Sequence, residues 1–274
     1  MPDLSTLDWT LLALAAALVG AAKTALPGAG TISVALFAAV LPAKASTGAL
    51  LLLLILGDLF AVRTHHAHAD WGVLRRLAPA VLVGVLAGTV FLRLVDDASV
   101  RRVIGVILVA MIALTVLRRW AAVPRASGRG RRRTPAQLTP PDGPGAAGAA
   151  PGGRRPWRRR AESGTYGVLG GFTTMVANSA GPVMSMYFLA GNFSMHRFLG
   201  TSAWFFLAVN LAKTPFSVSL GLITAQSLLL DLVLAPLVVL GALVGGRLVR
   251  HINQKLFERA VVVLTLVSAT YLIL

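Results

Sequence analysis

Apolar runs fill most of the chain, separated by short joints rich in glycine, proline or charge. They cover residues 7–26, 31–41, 46–63, 72–95 and 99–118, and after a long polar interval 164–180, 183–192, 197–217, 222–249 and 256–274. A helix crosses a bilayer core with about 20 apolar residues, so this length holds about eight to ten segments. The runs at 31–41 and 183–192 are short and follow Gly/Pro breaks, Pro27 to Gly30 and Gly181-Pro182. Backbone broken at membrane depth must face protein or a water-filled cavity, because lipid cannot satisfy its polar groups. The pattern predicts an all-α, polytopic integral membrane protein with a broken or re-entrant helix pair in each half.

Composition narrows the class. Of 274 residues, 56% are hydrophobic and only 13% charged, where a soluble domain carries about 25% charged residues. A mean hydropathy of +0.75 points to a surface that meets lipid. A soluble enzyme, a coiled coil and a disordered chain are excluded on these grounds. The formal charge of +16 is concentrated: residues 118–160 hold 12 arginines and one acid, Asp142. A basic loop between apolar blocks reads as a cytoplasmic loop under the positive-inside rule. It also suits contact with anionic lipid head groups. No nucleic-acid partner and no cofactor are expected. The absence of cysteine excludes disulfides, thiol catalysis and cysteine metal sites. Asp3 and Asp8 precede the first apolar run, the wrong flank for a cleaved signal peptide, so that run is expected to be a retained helix.

The two halves repeat. Leu77-Ala-Pro-Ala-Val-Leu-Val-Gly-Val-Leu-Ala-Gly88 matches Leu234-Ala-Pro-Leu-Val-Val-Leu-Gly-Ala-Leu-Val-Gly245 at seven of twelve positions, 157 residues apart. The Gly/Pro breaks and the pairs Ser46-Thr47 and Thr201-Ser202 recur in the same order. The expected organisation is an N-terminal transmembrane repeat at 1–118, a disordered Arg/Pro/Gly-rich cytoplasmic loop at 119–163 and a C-terminal repeat at 164–274. Basic residues at Arg63, Arg75, Arg76, Arg247, Arg250 and Lys255 place their ends in the cytoplasm and the N-terminus outside. An odd number of crossings per half follows, and with it an inverted repeat; a parallel four-plus-four arrangement would place Arg247 to Lys255 outside. Inverted repeats with interrupted helices point to a transporter site at the breaks.

Several polar residues stand inside apolar runs. Lys23, Thr24, Gly28 and Gly30 surround the first break, where a helix N-terminus, a lysine and a hydroxyl suit an anion; a snorkelling lysine before an ordinary loop is the bland alternative. Thr173-Thr174-Met-Val-Ala-Asn178-Ser179-Ala-Gly181-Pro182 surrounds the second break. There Asn178 and Gly181 are site candidates, and helix-to-helix glue is the alternative. Thr201 and Ser202 open a helix on which Asn210 and Lys213 share a face. An intramembrane lysine is a functional candidate by default. Asp58, in the same kind of setting, is the candidate for proton coupling, or else a partner of Lys23 or Lys213. His65-His66-Ala-His68-Ala-Asp70 has the composition of a metal tract, although its place in a turn favours solvated histidines, and no metal is assigned. No catalytic triad, carboxylate pair or phosphate loop is present.

Lys23-Thr-Ala-Leu-Pro-Gly-Ala-Gly30, Leu41-Pro-Ala-Lys-Ala-Ser-Thr-Gly48, Gly57-Asp58, His68-Ala-Asp-Trp71, Gly171-Phe-Thr-Thr-Met-Val-Ala-Asn178, Ala180-Gly-Pro182 and Gly200-Thr-Ser-Ala-Trp-Phe205 resemble the TauE/SafE family of sulfite and organosulfonate exporters. The resemblance covers both apolar halves. It implies a membrane transporter with seven or eight spans, not an enzyme, and a small sulfur-containing anion as substrate. The residues alone support a narrower expectation: an anion site at two facing helix breaks, near Lys23, Thr24, Asn178, Asn210 and Lys213. A divalent-cation transporter using His65, His66 and His68, and a membrane docking protein working through the basic loop, are the rival readings.

Overall fold

The computed structural model describes residues 4–25, 30–100, 102–103, 106, 156–191 and 193–248. Among these every element is helical: α1 (Thr6–Thr24), α2 (Gly30–Val40), α3 (Ala43–His65), a 3-10 turn at His66–His68, α4 (Trp71–Leu94), α5 (Pro156–Ala177), α6 (Ala180–Ala190), α7 (Met195–Ser219) and α8 (Ala225–Leu248). Among the described residues four helices are long and apolar enough to cross a membrane: α1, α3 with its 3-10 turn, α4 and α8. The expected runs at 99–118 and 256–274 lie largely or wholly outside the described residues, as does the loop from 119 to 155. α5 begins at Pro156, ahead of the apolar run expected at 164–180; proline is favoured at the first position of a helix.

Local chemistry sets the helix ends. Ser5 and Asp8 form a reciprocal capping box at α1. Asp70 accepts from Val73 N and caps α4. Asn178 ends α5 with φ of 51°, a left-handed conformation that asparagine tolerates better than most residues. Each half therefore begins with a long helix, a break, and a short returning helix.

Two tight helix pairs join the halves. On the first, a Cβ at Gly20 of α1 would stand 2.0 Å from Val238 O of α8, and one at Gly241 would stand 2.0 Å from Ala17 O. On the second, a Cβ at Gly171 of α5 would stand 2.1 Å from Val81 O of α4, and one at Gly84 would stand 2.2 Å from Val168 O. Only glycine permits such backbone approach, the usual device where lipid supplies no hydrophobic drive between helices. Gly84 and Gly241 are the matched glycines of the repeat.

The contacts also set direction. Along α1 and α8, positions 17, 20 and 21 meet 241, 238–242 and 245, so these two helices run the same way. Along α4 and α5, positions 81, 84 and 88 meet 171, 168–172 and 175, so they too run together. Asp58 meets Asn210 while Gly200 meets His65 and Ala69, so α3 and α7 run oppositely. One end of the molecule gathers Thr24, His65 and Gly200; the other gathers Lys44, Val95 and Asp97, which hydrogen-bond one another.

Candidate functional site

The facing ends of α1 and α2 and of α5 and α6 border one cavity. α1 ends at Thr24 and α2 starts at Gly30; α5 ends at Ala177 and α6 starts at Ala180. The cavity is lined from the first tip by Lys23 and Gly30 and from the second by Thr174, Asn178 and Gly181. Asp58 of α3 and Ser202, Phe206 and Asn210 of α7 also line it. The volume open to the centre of a water molecule is about 40 Å³, where about 10–15 Å³ holds one water. The space fits a few waters or one small polyatomic ion.

Its charges are arranged in two groups. Lys23 Nζ lies 2.7 Å from Asp58 Oδ1 and over the face of Phe206, 4.3 Å from the ring centre. Asn210 Nδ2 donates to Asp58 Oδ2 at 2.6 Å. Asp58 is fully buried, so these two contacts offset the cost of its desolvation. Lys213 stands apart. Its ammonium donates to Thr174 O at 2.9 Å, to Thr174 Oγ1 at 3.2 Å and to Asn178 Oδ1. Three donors thus meet three neutral acceptors, and Lys213 makes no ion pair among the described residues. Asn178 Nδ2 in turn donates to Thr47 O at 2.9 Å, tying the break to α3.

Not every expected site residue reaches the cavity. Lys23, Gly30, Asn178, Gly181, Ser202, Asn210 and Asp58 line it. Lys213 sits behind Thr174 and Asn178. Thr24 faces elsewhere, donating to Gly20 O and to Ala242 O, both at 3.0 Å. Thr201 accepts from Asp70 N at 3.0 Å, where the turn after α3 packs on α7. Both hydroxyls hold backbone rather than line the cavity. Gly28 lies outside the described residues. Asp58, the candidate for proton coupling or else a partner of Lys23 or Lys213, is the ion-pair partner of Lys23. Five wall residues were not singled out from sequence as site residues: Ala22, Leu54, Ala203 and Phe206 carry no pattern that distinguishes them from their neighbours, whereas Thr174 stands inside a quoted polar stretch.

The histidine tract divides among three environments. His65 Nε2 is 2.9 Å from Thr24 O, His66 Nδ1 is 3.3 Å from Arg63 O, and His68 stacks on His196. No metal-holding group of three or more His, Cys, Asp or Glu exists among the described residues. Asp70 pairs with Arg197, whose Nε donates to Oδ2 at 3.1 Å. Partial burial pushes the Asp70 carboxyl up, but hydrogen bonds from Arg197 and from Val73 N–H outweigh it and hold Asp70 below the usual carboxylate range.

The polar atoms at the cavity leave gaps. Among the described residues Ser202 Oγ and Asn210 Oδ1 are buried without a partner, and buried polar groups normally find one. Comparison with known proteins gives one match: the model of a family described as Sulfite exporter TauE/SafE covers residues 12–272. Comparisons with curated proteins and with solved structures give no match.

Proposed function

The chain belongs to the sulfite exporter TauE/SafE family and is therefore a membrane transporter and not an enzyme; from that premise we propose that it exports a small anion, sulfite or an organosulfonate, through the cavity between the two hairpin tips. One observation carries the reading. Lys23 pairs with Asp58, whereas Lys213 is a buried amine held only by neutral oxygens among the described residues. A buried cation without a counter-charge is costly, and an anion in the adjoining cavity supplies the missing charge. Ser202 Oγ offers it a hydroxyl donor, and Lys23 offers it a second ammonium. Asp58 acts as the fixed counter-ion of Lys23, which keeps the site from carrying two excess charges.

The helix directions support an inverted repeat. α1 and α8 point one way and α4 and α5 the other, so α1 and α4 each pair with a parallel helix of the other half, while α3 and α7 run oppositely. Rocking of the halves about a central site is the expected transport motion. Arg63, Arg75, Arg76, Arg197 and Arg247 belong to the end that gathers His65, and by the positive-inside rule that end faces the cytoplasm of the cell membrane. The three histidine rings, each with its own separate contact, give no support to a divalent-cation substrate.

Thermal stability of the purified protein tests the site, because a ligand that binds only the folded state raises stability by mass action. Sulfite, sulfate, thiosulfate, sulfoacetate, taurine, simple carboxylates and Ni²⁺ form the screen. The expected result is a rise with a sulfur oxyanion or sulfonate that is lost in Lys213→Met and weakened in Ser202→Ala. A rise with Ni²⁺ alone, or an anion response unchanged in both variants, overturns the reading.

A further inference from the structure

Asp231 stands in an apolar stretch of α8. It is 6% exposed, and among the described residues neither carboxylate oxygen has a hydrogen-bond partner. Its place is on the packed face of α8: 231, 234, 238, 241 and 245 follow the three-four spacing of one helix stripe, and the later positions of that stripe press on α1. Its helix neighbours Leu230 and Leu234 belong to an apolar cluster with Leu12, Leu50 and Leu53.

Among the described residues, the charged groups of the elements packed on α8 are engaged or distant. On α1, Asp8 closes the capping box and Lys23 pairs with Asp58. On α3, Lys44 donates to Val95 O, His65 meets Thr24 O, and Arg63 lies at the far end. On α8 itself, Arg247 stands 16 residues on, about 24 Å along the helix. An ionised carboxylate in such surroundings is costly, and the neutral acid removes that cost. A metal cation needs several oxygen ligands, which a cluster of leucines does not offer; a proton needs only the carboxylate.

We infer that Asp231 is a proton-binding site of this transporter, separate from the cavity at Lys23 and Asp58: a carboxylic acid in the closed fold whose proton exchanges when the seam between α1 and α8 opens. Intramembrane carboxylates of this kind form proton relays in pumps and transporters. The proton arrives from water on one side and leaves to water on the other, with no other bond made or broken. The inference requires a membrane transporter but not the anion reading.

Infrared spectroscopy of the full chain in lipid at neutral pH tests it without any substrate. The expected spectrum has a carboxylic C=O band that shifts in D2O, is lost in Asp231→Asn and returns, displaced, in Asp231→Glu. Thermal melting of Asp231→Asn confirms a folded sample. A wild-type spectrum without the band, a band that survives Asp231→Asn, or a band that does not shift in D2O each overturns the inference.

Discussion

The seams between the halves and the polar groups they enclose obey different rules. The seams match almost position for position: Gly20 against Val238 on one side answers Gly171 against Val81 on the other. The polar groups do not match. Aligning Ser46-Thr47 with Thr201-Ser202 sets Asp58 against Lys213, opposite charges at equivalent positions. Asp58 meets a lysine across its hairpin tip, while Lys213 meets an amide and a hydroxyl. Duplication preserves packing because both copies must solve the same steric problem. Charge is free to diverge, and the divergence leaves one lysine at the centre without an acidic partner among the described residues.

The largest expected effect breaks that contrast directly. Lys23→Met strips Asp58 of its counter-ion and leaves a buried carboxylate, a loss of about 3–5 kcal/mol. Lys213→Met leaves only neutral acceptors unpaired, worth about 1–3 kcal/mol. The double variant Lys23→Met with Asp58→Leu recovers most of the first loss, because both charges are gone. Unfolding free energies in detergent measure all three. Equal losses from the two lysines would show that the groups are energetically alike and remove the asymmetry.

The seams supply the next effect. Ala at Gly20 or at Gly84 places a Cβ within 2.2 Å of a backbone carbonyl and forces the helices apart, at a cost of about 1–3 kcal/mol. The expectation is similar losses at the two seams and none at Gly246, which has nothing nearby. Loss at only one seam, read by the same unfolding measurement, would mean that the halves are not held equivalently.

Much of the scaffold is legible in sequence because lipid enforces it. Long apolar runs and the matched Gly84, Gly88, Gly241 and Gly245 follow from spanning a bilayer and packing without a hydrophobic drive. The polar residues are harder. Thr24 and Thr201 look like ligands in an apolar run, yet a helix hydroxyl can equally bond nearby backbone, and sequence does not say which. Asp58 is visible as a buried acid, but two lysines compete for it until the tips are placed. Asp231 escapes notice because it stands in one half only, with Leu74 at the matched position of the other.

The smallest effect lies at the rim, where the turn after α3 meets α7. Asp70 is held below the usual carboxylate range by Arg197 and the Val73 N–H against the opposing pull of burial. A group depressed in the fold stabilises it above its unfolded value, about 3.9 for an aspartate, and that contribution is lost as pH falls through the lower folded value. The Arg197 side chain is half exposed, so solvent and salt screen the pair and its worth is at most about 1 kcal/mol. Arg197→Ala should lower the melting temperature slightly at neutral pH, and the difference from wild type should shrink below about pH 4 and in high salt. A difference that persists in acid would assign Arg197's contribution to its stacking on Phe193, 4.3 Å from the ring centre, rather than to the charge on Asp70.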